Sequence, residues 1–356
     1  MDTDPAPTAL SAATYADVLS RLVRGEDLVA SDVESVFTSV LEGGASDVRI
    51  AAFAVALRAK GETPEELAAL VRTMLRFAER VQVADPSVLI DTCGTGGDRA
   101  GTVNISTMAA LVAAGAGAQV AKHGNRAASS KCGSADVLEA LGVVIDLPPA
   151  AVASCIHEAG IGFCFAPRFH PALRHAAPAR RELGVATTFN FLGPLANPAG
   201  VGRQVVGVSD PAMAPRVTGA LAELGRTHVL VVHGHDGLDE LTTTAPSTIH
   251  ELRHGEVRVT ELHPASLGLA PATVGELVGG DAAENAAFVE RVLGGERGAV
   301  RDIVVLNAAA ALVVADLADD FASGVELAGA VLDDGRAAAV LDRFRQVSQS
   351  LAVDAT

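Results

Sequence analysis

The feature that most restricts the fold of this chain is a glycine-rich run between an apolar segment and a helix. The run Asp91-Thr-Cys-Gly-Thr-Gly-Gly-Asp98 follows apolar residues 88–90, which predict a buried strand, and precedes residues 108–118, which predict a helix. Bare backbone N–H groups collect at such a junction, and glycine lets an anion approach them closely. The sequence therefore predicts a phosphate-binding loop in an α/β fold.

A second loop of unusual composition follows the next predicted strand, at residues 119–122. It reads Lys122-His-Gly-Asn-Arg-Ala-Ala-Ser-Ser130 and combines two cations, an imidazole, an amide and two hydroxyls. The first run lacks the lysine of a P-loop and has Arg99 where a dinucleotide fingerprint needs its third glycine. An ordinary glycine turn and a solvated polar loop remain the alternatives for the two runs. If both bind phosphate, the ligand carries more than one phosphate.

The order of helices and strands predicts the fold class. Residues 13–80 have helical spacing throughout, with capping boxes at Ser31-Asp-Val-Glu34 and Thr63-Pro-Glu-Glu66. Strands are then predicted at residues 88–91, 119–122, 143–146, 162–165, 204–208 and 228–232, with helices between them. Residues 242–262 alternate as a hairpin that turns at residues 253–256, and residues 281–350 return to helices. We predict an α/β fold with a largely parallel central sheet flanked by helices, and a smaller all-helical domain.

Composition excludes some classes of function. The formal net charge of −16 argues against general binding to nucleic acid or anionic membranes. The four cysteines show no CxxC spacing and indicate reduced thiols. No apolar segment of membrane-spanning length is free of charge or glycine. Residues 1–11 lack the pattern of a secretory signal and are interpreted as a frayed tail of a cytoplasmic protein.

Two adjacent acids follow the last predicted parallel strand. Asp239 and Glu240 are expected at its solvent-facing end, where paired carboxylates favour Mg²⁺. His228, His233 and His235 make zinc a weaker alternative, and an acidic surface turn is the alternative without a metal.

A basic segment after residue 163 contains a candidate carboxylate site. On a helix that begins at Pro171, Leu173 and Arg180 are seven residues apart and share a face. Leu173 would supply an apolar wall and Arg180 a clamp for a carboxylate. Arg174 and Arg181 are expected to face solvent.

Six motifs resemble, in order and spacing, the anthranilate phosphoribosyltransferase family, and the resemblance runs from about residue 13 to 345. They are residues 91–98, Thr102-Val-Asn-Ile-Ser-Thr107, residues 122–130 with Ser134-Ala-Asp-Val-Leu-Glu139, Phe165-Ala-Pro-Arg-Phe-His170 through Arg180, Phe189-Asn-Phe-Leu-Gly-Pro-Leu-Ala-Asn-Pro198, and Asp236-Gly-Leu-Asp-Glu240. The resemblance implies transfer of a phosphoribosyl group from 5-phosphoribosyl 1-diphosphate (PRPP) to anthranilate, an early step of tryptophan biosynthesis.

The resemblance also implies a domain organisation. The helical domain would comprise residues 1–80 joined by residues 170–184, and the α/β domain that binds PRPP would comprise residues 85–169 and 185–350. The active site would lie in the cleft between the domains, and two copies would form a homodimer through the helical domains. The partners would be PRPP and anthranilate, with no nucleic acid and no membrane.

By the same resemblance, each ligand has an expected set of residues. PRPP would be bound by Gly94, Gly97, Asp98, Thr102, Asn104, Ile105, Ser106, Thr107, Lys122, His123, Gly124, Asn125, Arg126, Ala127, Ala128, Ser129, Ser130 and Ser134. Anthranilate would be bound by Gly94, His123, Asn125 and Arg180. Mg²⁺ would be bound by Ser106, Asp239 and Glu240.

Two alternative functions remain open. A pyrimidine nucleoside phosphorylase shares the implied fold, but its phosphate loops differ from Lys122-His-Gly-Asn-Arg126 and it has no need of the paired acids. A catalytically silent relative that binds nucleic acid would need a basic surface, which the net charge of −16 disfavours.

Overall fold

The computed structural model describes residues 12–127 and 130–353, so the tail predicted for residues 1–11 lies outside the described residues. Four helices come first: α1 (Ala12–Val23), α2 (Ala30–Leu41), α3 (Asp47–Lys60) and α4 (Pro64–Arg76). The capping box at Thr63 and Glu66 is confirmed, since each side chain accepts the other's backbone N–H. The box at Ser31 is wrong, because α2 begins at Ala30 after an extended Val29 and Ser31 falls inside the first turn.

The predicted fold class is confirmed by a seven-stranded sheet in the order β3-β2-β1-β4-β5-β6-β7. Its strands are β1 (Ile90–Gly94), β2 (Val120–Gly124), β3 (Ile161–Phe165), β4 (Arg203–Gly207), β5 (His228–Gly234), β6 (Ser247–Arg253) and β7 (Glu256–Leu262). The first five are parallel, and β6 and β7 form the antiparallel hairpin predicted for residues 242–262. In the sheet, β2 and β3 lie on one side of β1, and β4 lies on its other side. This reversal of strand order creates a topological switch point between β1 and β4.

The strand predicted at residues 143–146 is wrong. Val143, Ile145 and Leu147 are buried at every second position, as in a strand, but this segment pairs with no strand of the part of the chain that the structure describes. The backbone N–H of Val144 instead donates to the hydroxyl of Ser348 in the last helix. The alternation therefore reflects burial against helices and not a place in the sheet.

Helices cover both faces of the sheet. Those after β1 are α5 (Ile105–Gly115), α6 (Ser134–Ala140), α7 (Pro149–Ala159), α8 (Ala166–Phe169), α9 (Ala177–Leu183), α10 (Phe189–Leu195), α11 (Ala214–Glu223), α12 (Val274–Leu277), α13 (Ala282–Leu293), α14 (Ala299–Val314), α15 (Phe321–Asp333) and α16 (Arg336–Val353). Leu230 and Val232 of β5 face the core that contains α5, α14 and α16. Val229 and Val231 face a second core, shared with α1 to α4, α10 and α11. The helical bundle thus packs on one face of the sheet. No helix of the described residues is both long and apolar enough to cross a bilayer.

The basic segment after β3 is not the single helix predicted from Pro171. A 3₁₀ turn at Pro171–Ala176 packs on α2, and α9 then begins with Pro178 in its first turn and packs on α3. Because proline lacks an N–H, it fits the start of a helix but not its interior. Leu173 and Arg180 therefore lie on different elements, and the inference that they share one helical face is wrong.

Candidate active site

The glycine loop lies at the switch point, where the carboxyl ends of β1 and β4 meet. The N–H of Thr95 donates to the carbonyl of Gly207 over 2.9 Å. Gly94 and Gly207 both approach Asp239 so closely that a Cβ at either position would overlap it. Glycine is therefore required at both strand ends, because any side chain would expel Asp239 from the loop.

The loop is held from two sides while its backbone stays open to solvent. The N–H of Gly96 donates to Asp239 Oδ2 over 2.7 Å, and the hydroxyl of Ser209 donates to the carbonyl of Gly96 over 2.9 Å. Gly96 and Gly97 are exposed, with φ of +68° and +88°. These are conformations that other residues rarely adopt, so the glycines allow a tight turn that an anion can approach.

The paired acids do not both lie at a solvent-facing strand end, as the sequence predicted. After β5 a turn brings Asp239 back against the glycine loop, where its exposed fraction is only 9%. Burial, and then the charge of Asp98, raise the pKa of Asp239. Burial, and then the charge of Asp239, raise the pKa of Glu240, while Lys122 opposes this shift. A divalent cation bound here would reduce the electrostatic repulsion among these three carboxylates, which have one neighbouring lysine.

The start of α5 brings further predicted residues to the same place. Ser106 lies beside Glu240, and its hydroxyl lies 3.4 Å from Lys122 Nζ. Lys122 is 2% exposed and also donates to the carbonyl of Thr92 over 2.6 Å. Two carboxylates and a hydroxyl are ligand types that suit Mg²⁺, which keeps waters and substrate oxygens in its remaining positions.

Other metal arrangements lack support among the described residues. Within residues 12–127 and 130–353, no group of three or more His, Cys, Asp or Glu side chains is arranged to hold a metal ion. His228 contacts Glu251, His233 contacts the carbonyl of Val208, and His235 contacts Thr248, so the three histidines lie apart in separate interactions. All four cysteines are free, as predicted.

The other residues around α5 have distinct positions. Thr102 forms an antiparallel bridge with Val278, and Asn104 occupies the N-cap position of α5. Ile105 and Thr107 are buried, and the hydroxyl of Thr107 has no hydrogen-bond partner among the described residues. Asp98 accepts the N–H of Ala100. The helix start thus presents a polar surface to the glycine loop and an apolar one to the core.

The second loop begins at the end of β2, where hydrogen bonds fix the orientation of His123. The backbone N–H of His123 donates to Asp91, and its ring Nδ1 lies 2.8 Å from the carbonyl of Gly193 in α10. A carbonyl only accepts, so Nδ1 carries the proton and Nε2 is an acceptor. Nε2 is buried without a partner among the described residues, and burial lowers the pKa of this ring. The ring is therefore held as the neutral tautomer, with its lone pair on the buried Nε2.

The rest of this loop turns towards α6. Arg126 pairs with Asp136 and Glu139, and Asp136 accepts the N–H of Ala127. The hydroxyl of Ser134 donates to the carbonyl of Asn125. A Cβ at Gly124 would overlap Ser134, so the loop and the helix start are in close contact. Ser130 is exposed, and the predicted Ala128 and Ser129 lie outside the described residues.

Arg180 lies against α10. Its guanidinium carbon is 5.6 Å from the ring centroid of Phe189, and it has no carboxylate partner among the described residues. Burial lowers the pKa of Arg180. Phe189 and Gly193 are four positions apart on α10, which spans about 6 Å along a helix. One turn of α10 therefore contacts both Arg180 and His123. Leu173 instead packs against the core of the helical bundle, and Arg174 and Arg181 are exposed, as predicted.

Several residues that shape the site were not identified from the sequence. Asp91 is fully buried and accepts both the N–H of His123 and the side chain of Asn197. His170 contacts His123 with ring centroids 5.1 Å apart. Asn285 of α13 donates to Asn104. Asn197 and His170 lie within motifs that carried the resemblance, but no local pattern marks Asn285, which is distant in sequence.

Models of two domains match the chain. The glycosyl transferase family, a/b domain, matches residues 86–338, and the glycosyl transferase family, helical bundle domain, matches residues 16–78. The chain is 56% identical over 336 residues to the anthranilate phosphoribosyltransferase of a Nocardioides species, covering 93% of this chain and 98% of the relative. It is 52% identical over 334 residues to that of Roseiflexus castenholzii, again covering 93% and 98%.

Solved structures agree with these matches. Anthranilate phosphoribosyltransferase from Thermus thermophilus superposes with a TM-score of 0.88 at 44% identity, covering 94% of this chain and 99% of that one. The Saccharomyces cerevisiae enzyme in complex with PRPP and Mg gives 0.87 at 26% identity, covering 96% and 99%. The same yeast enzyme in complex with 4-fluoroanthranilate gives 0.85, with the same identity and coverage.

Proposed function

This chain belongs to the anthranilate phosphoribosyltransferase family, and we propose that it catalyses that family's reaction. The 5-phosphoribosyl group of PRPP is transferred to the amine of anthranilate, giving N-(5-phosphoribosyl)anthranilate and diphosphate in tryptophan biosynthesis. The observation that carries the proposal is that two kinds of binding group lie around α10, which contacts both His123 and Arg180. The glycine loop and buried Lys122 suit phosphates, and Arg180 without an acidic partner among the described residues suits a carboxylate.

PRPP occupies the part of the cleft at the switch point. Exposed Gly96 and Gly97, the start of α5 and the loop after β2 supply N–H groups and hydroxyls for its phosphates. The proposed set comprises the eighteen residues that the resemblance implied, including Ala128 and Ser129. Arg126 is held in this loop by its ion pairs with Asp136 and Glu139.

Mg²⁺ is proposed to be held by Ser106, Asp239 and Glu240. The clustered carboxylates with raised pKa values support this assignment, as does the Mg in the yeast relative's complex. When bound, the ion neutralises charge on the leaving diphosphate. The chain's own contribution is to hold the acids beside the glycine loop, through the bond from Gly96 to Asp239.

Anthranilate occupies the part of the cleft beside α10. Arg180 pairs with its carboxylate, and Gly94 and Asn125 complete the proposed contacts. The aromatic amine is neutral at pH 7 and attacks ribose C1 without a strong base. His123, whose ring is oriented by the carbonyl of Gly193, and Asn125 position this amine towards C1.

The domain organisation and assembly expected from the sequence also form part of the proposal. Residues 170–184 pack on α2 and α3, which supports joining them to residues 1–80 in the helical domain, with residues 85–169 and 185–350 as the α/β domain. Val23 of α1 and Val48 of α3 are 80% and 79% exposed. These apolar side chains suit a homodimer through the helical domain. We propose a cytoplasmic enzyme without nucleic-acid or membrane partners.

The test is release of diphosphate from PRPP by the purified chain, with and without anthranilate and with and without Mg²⁺. Release that requires both, together with consumption of anthranilate, is the expected result. Phosphorolysis of uridine or thymidine in its place would support the phosphorylase alternative. Light scattering of the same sample tests the homodimer, and retention on heparin at physiological salt would support a nucleic-acid partner.

A further inference from the structure

We propose that Glu62 and Thr188 are positioning residues for the acceptor, because their hydrogen bond fixes the start of α10. The inference rests on the proposed function, since it concerns how that function's acceptor site is held in place. Neither residue belongs to a motif that was assigned a role in binding. Glu62 comes from the helical bundle, and Thr188 comes from the segment that leads into α10. Their side chains meet although 126 positions separate them.

Glu62 is an acidic group in an unusual place. It lies between α3 and α4, and its side chain is completely buried. Oε1 accepts the hydroxyl of Thr188, while Oε2 faces Arg58 at 3.2 Å and Arg216 at 3.6 Å. A buried carboxylate is tolerated only when both oxygens have partners, and a satisfied network of this kind holds its members in one arrangement.

Thr188 commits its hydroxyl to this acid and not to its own helix. It occupies the N-cap position of α10, where threonine commonly caps the helix, yet its side chain makes no capping bond. A second contact from the bundle lies close by, since the guanidinium of Arg58 is 4.9 Å from the ring centroid of Phe191. The bundle therefore holds α10 through a hydrogen bond and a cation–π contact.

The position of α10 fixes two parts of the proposed acceptor site, Arg180 and His123. Phe189, next to Thr188, lies under Arg180, and Gly193 bonds to His123. A displacement of the helix start would move the proposed carboxylate clamp and His123 relative to ribose C1. Misplacement of about 1 Å can cost about a hundredfold in rate. The glycine loop is held by Asp239 and Ser209 and not by the start of α10, so the affinity for PRPP should depend on this bond much less than the affinity for anthranilate.

The experiment compares Thr188→Val, which keeps the shape and loses the hydroxyl, with Thr188→Ser, which keeps the hydroxyl. We expect the valine variant to raise the KM for anthranilate by about tenfold while the KM for PRPP stays within about twofold, and the serine variant to resemble wild type. Glu62→Asp draws the carboxylate back by one methylene and should reproduce the valine result. Thr218→Val is the control, because it removes a buried hydroxyl that bonds only within α11.

Three results would overturn the inference. These are wild-type kinetics in Thr188→Val, equal defects in the valine and serine variants, or a joint rise of both KM values with a lower Tm. The last would show general destabilisation of the kind expected for a merely structural bond. A wild-type protein that fails to consume anthranilate would refute the proposed function instead, so the two failures are distinguishable.

Discussion

The side-chain nitrogen of Asn285 donates to the side-chain oxygen of Asn104 over 2.8 Å, and this bond decides which way Asn104 faces. The backbone N–H of Gly280 is only a donor, so the atom of Asn285 that it meets at 2.8 Å is the oxygen. The nitrogen of Asn285 must then point to Asn104. The side-chain nitrogen of Asn104 therefore points to the carbonyl of Cys132 and donates to it over 3.2 Å.

Asn285→Asp should therefore weaken PRPP binding. The new carboxylate keeps the bond from Gly280 but cannot donate to Asn104, whose amide loses its fixed orientation. We expect the KM for PRPP to rise by about tenfold, in line with the loss of one buried hydrogen bond, and the KM for anthranilate to change little. Asn285→Ala removes the donor without adding charge. An unchanged PRPP titration in the alanine variant would show that Asn285 does not orient Asn104.

Gly96→Val should abolish PRPP binding. A β-branched residue is strongly disfavoured at a φ of +68°, and its side chain would cover the exposed N–H groups of the loop. Gly225→Val is the matched control, since Gly225 has a φ of +73°, open space around it and a place far from the loop, between α11 and β5. Calorimetric titration with PRPP should detect no binding to the first variant and normal affinity in the second. Normal affinity in both would make the loop an ordinary turn.

Arg180→Ala should affect the acceptor alone. A charge-assisted pair contributes roughly 1.5–3 kcal/mol, so its loss should raise the KM for anthranilate about ten- to a hundredfold. The KM for PRPP should change much less, because other loops hold its phosphates. Arg181→Ala removes a neighbouring exposed charge and serves as the control. If both KM values rise together in Arg180→Ala, or neither does, Arg180 is structural.

Asp239→Asn combined with Glu240→Gln should impair the use of Mg²⁺. The asparagine oxygen can still accept the N–H of Gly96, so the loop keeps its support while the site loses two negative charges. We expect a strong drop in turnover and a higher Mg²⁺ concentration for half-maximal rate. Asp236→Asn, at a nearby acid that accepts Thr242 and Thr244, is the control. Steady-state kinetics with unchanged Mg²⁺ dependence would contradict the metal assignment.

Local patterns explain which elements were predicted correctly and which were not. The capping box at Thr63, the glycine loop after β1 and the turn between β6 and β7 depend on residues within a few positions of each other. The strand predicted at residues 143–146 failed because alternating burial against helices has the same period as burial in a sheet. The helix predicted from Pro171 failed because Pro178 favours a new start over continuation.

By itself, the sequence determined the fold class, the helical bundle and the glycine-rich and polar loops at strand ends. Each of these follows from periodicity, turn chemistry and glycine, which act over short stretches of chain. Only the tertiary structure decided that Asp239 meets Gly96 across 143 positions, that α10 contacts both His123 and Arg180, and that Glu62 holds Thr188. Such partners are chosen when the layers pack and buried polar groups must find hydrogen bonds, a condition that distant residues satisfy together and that no local pattern records.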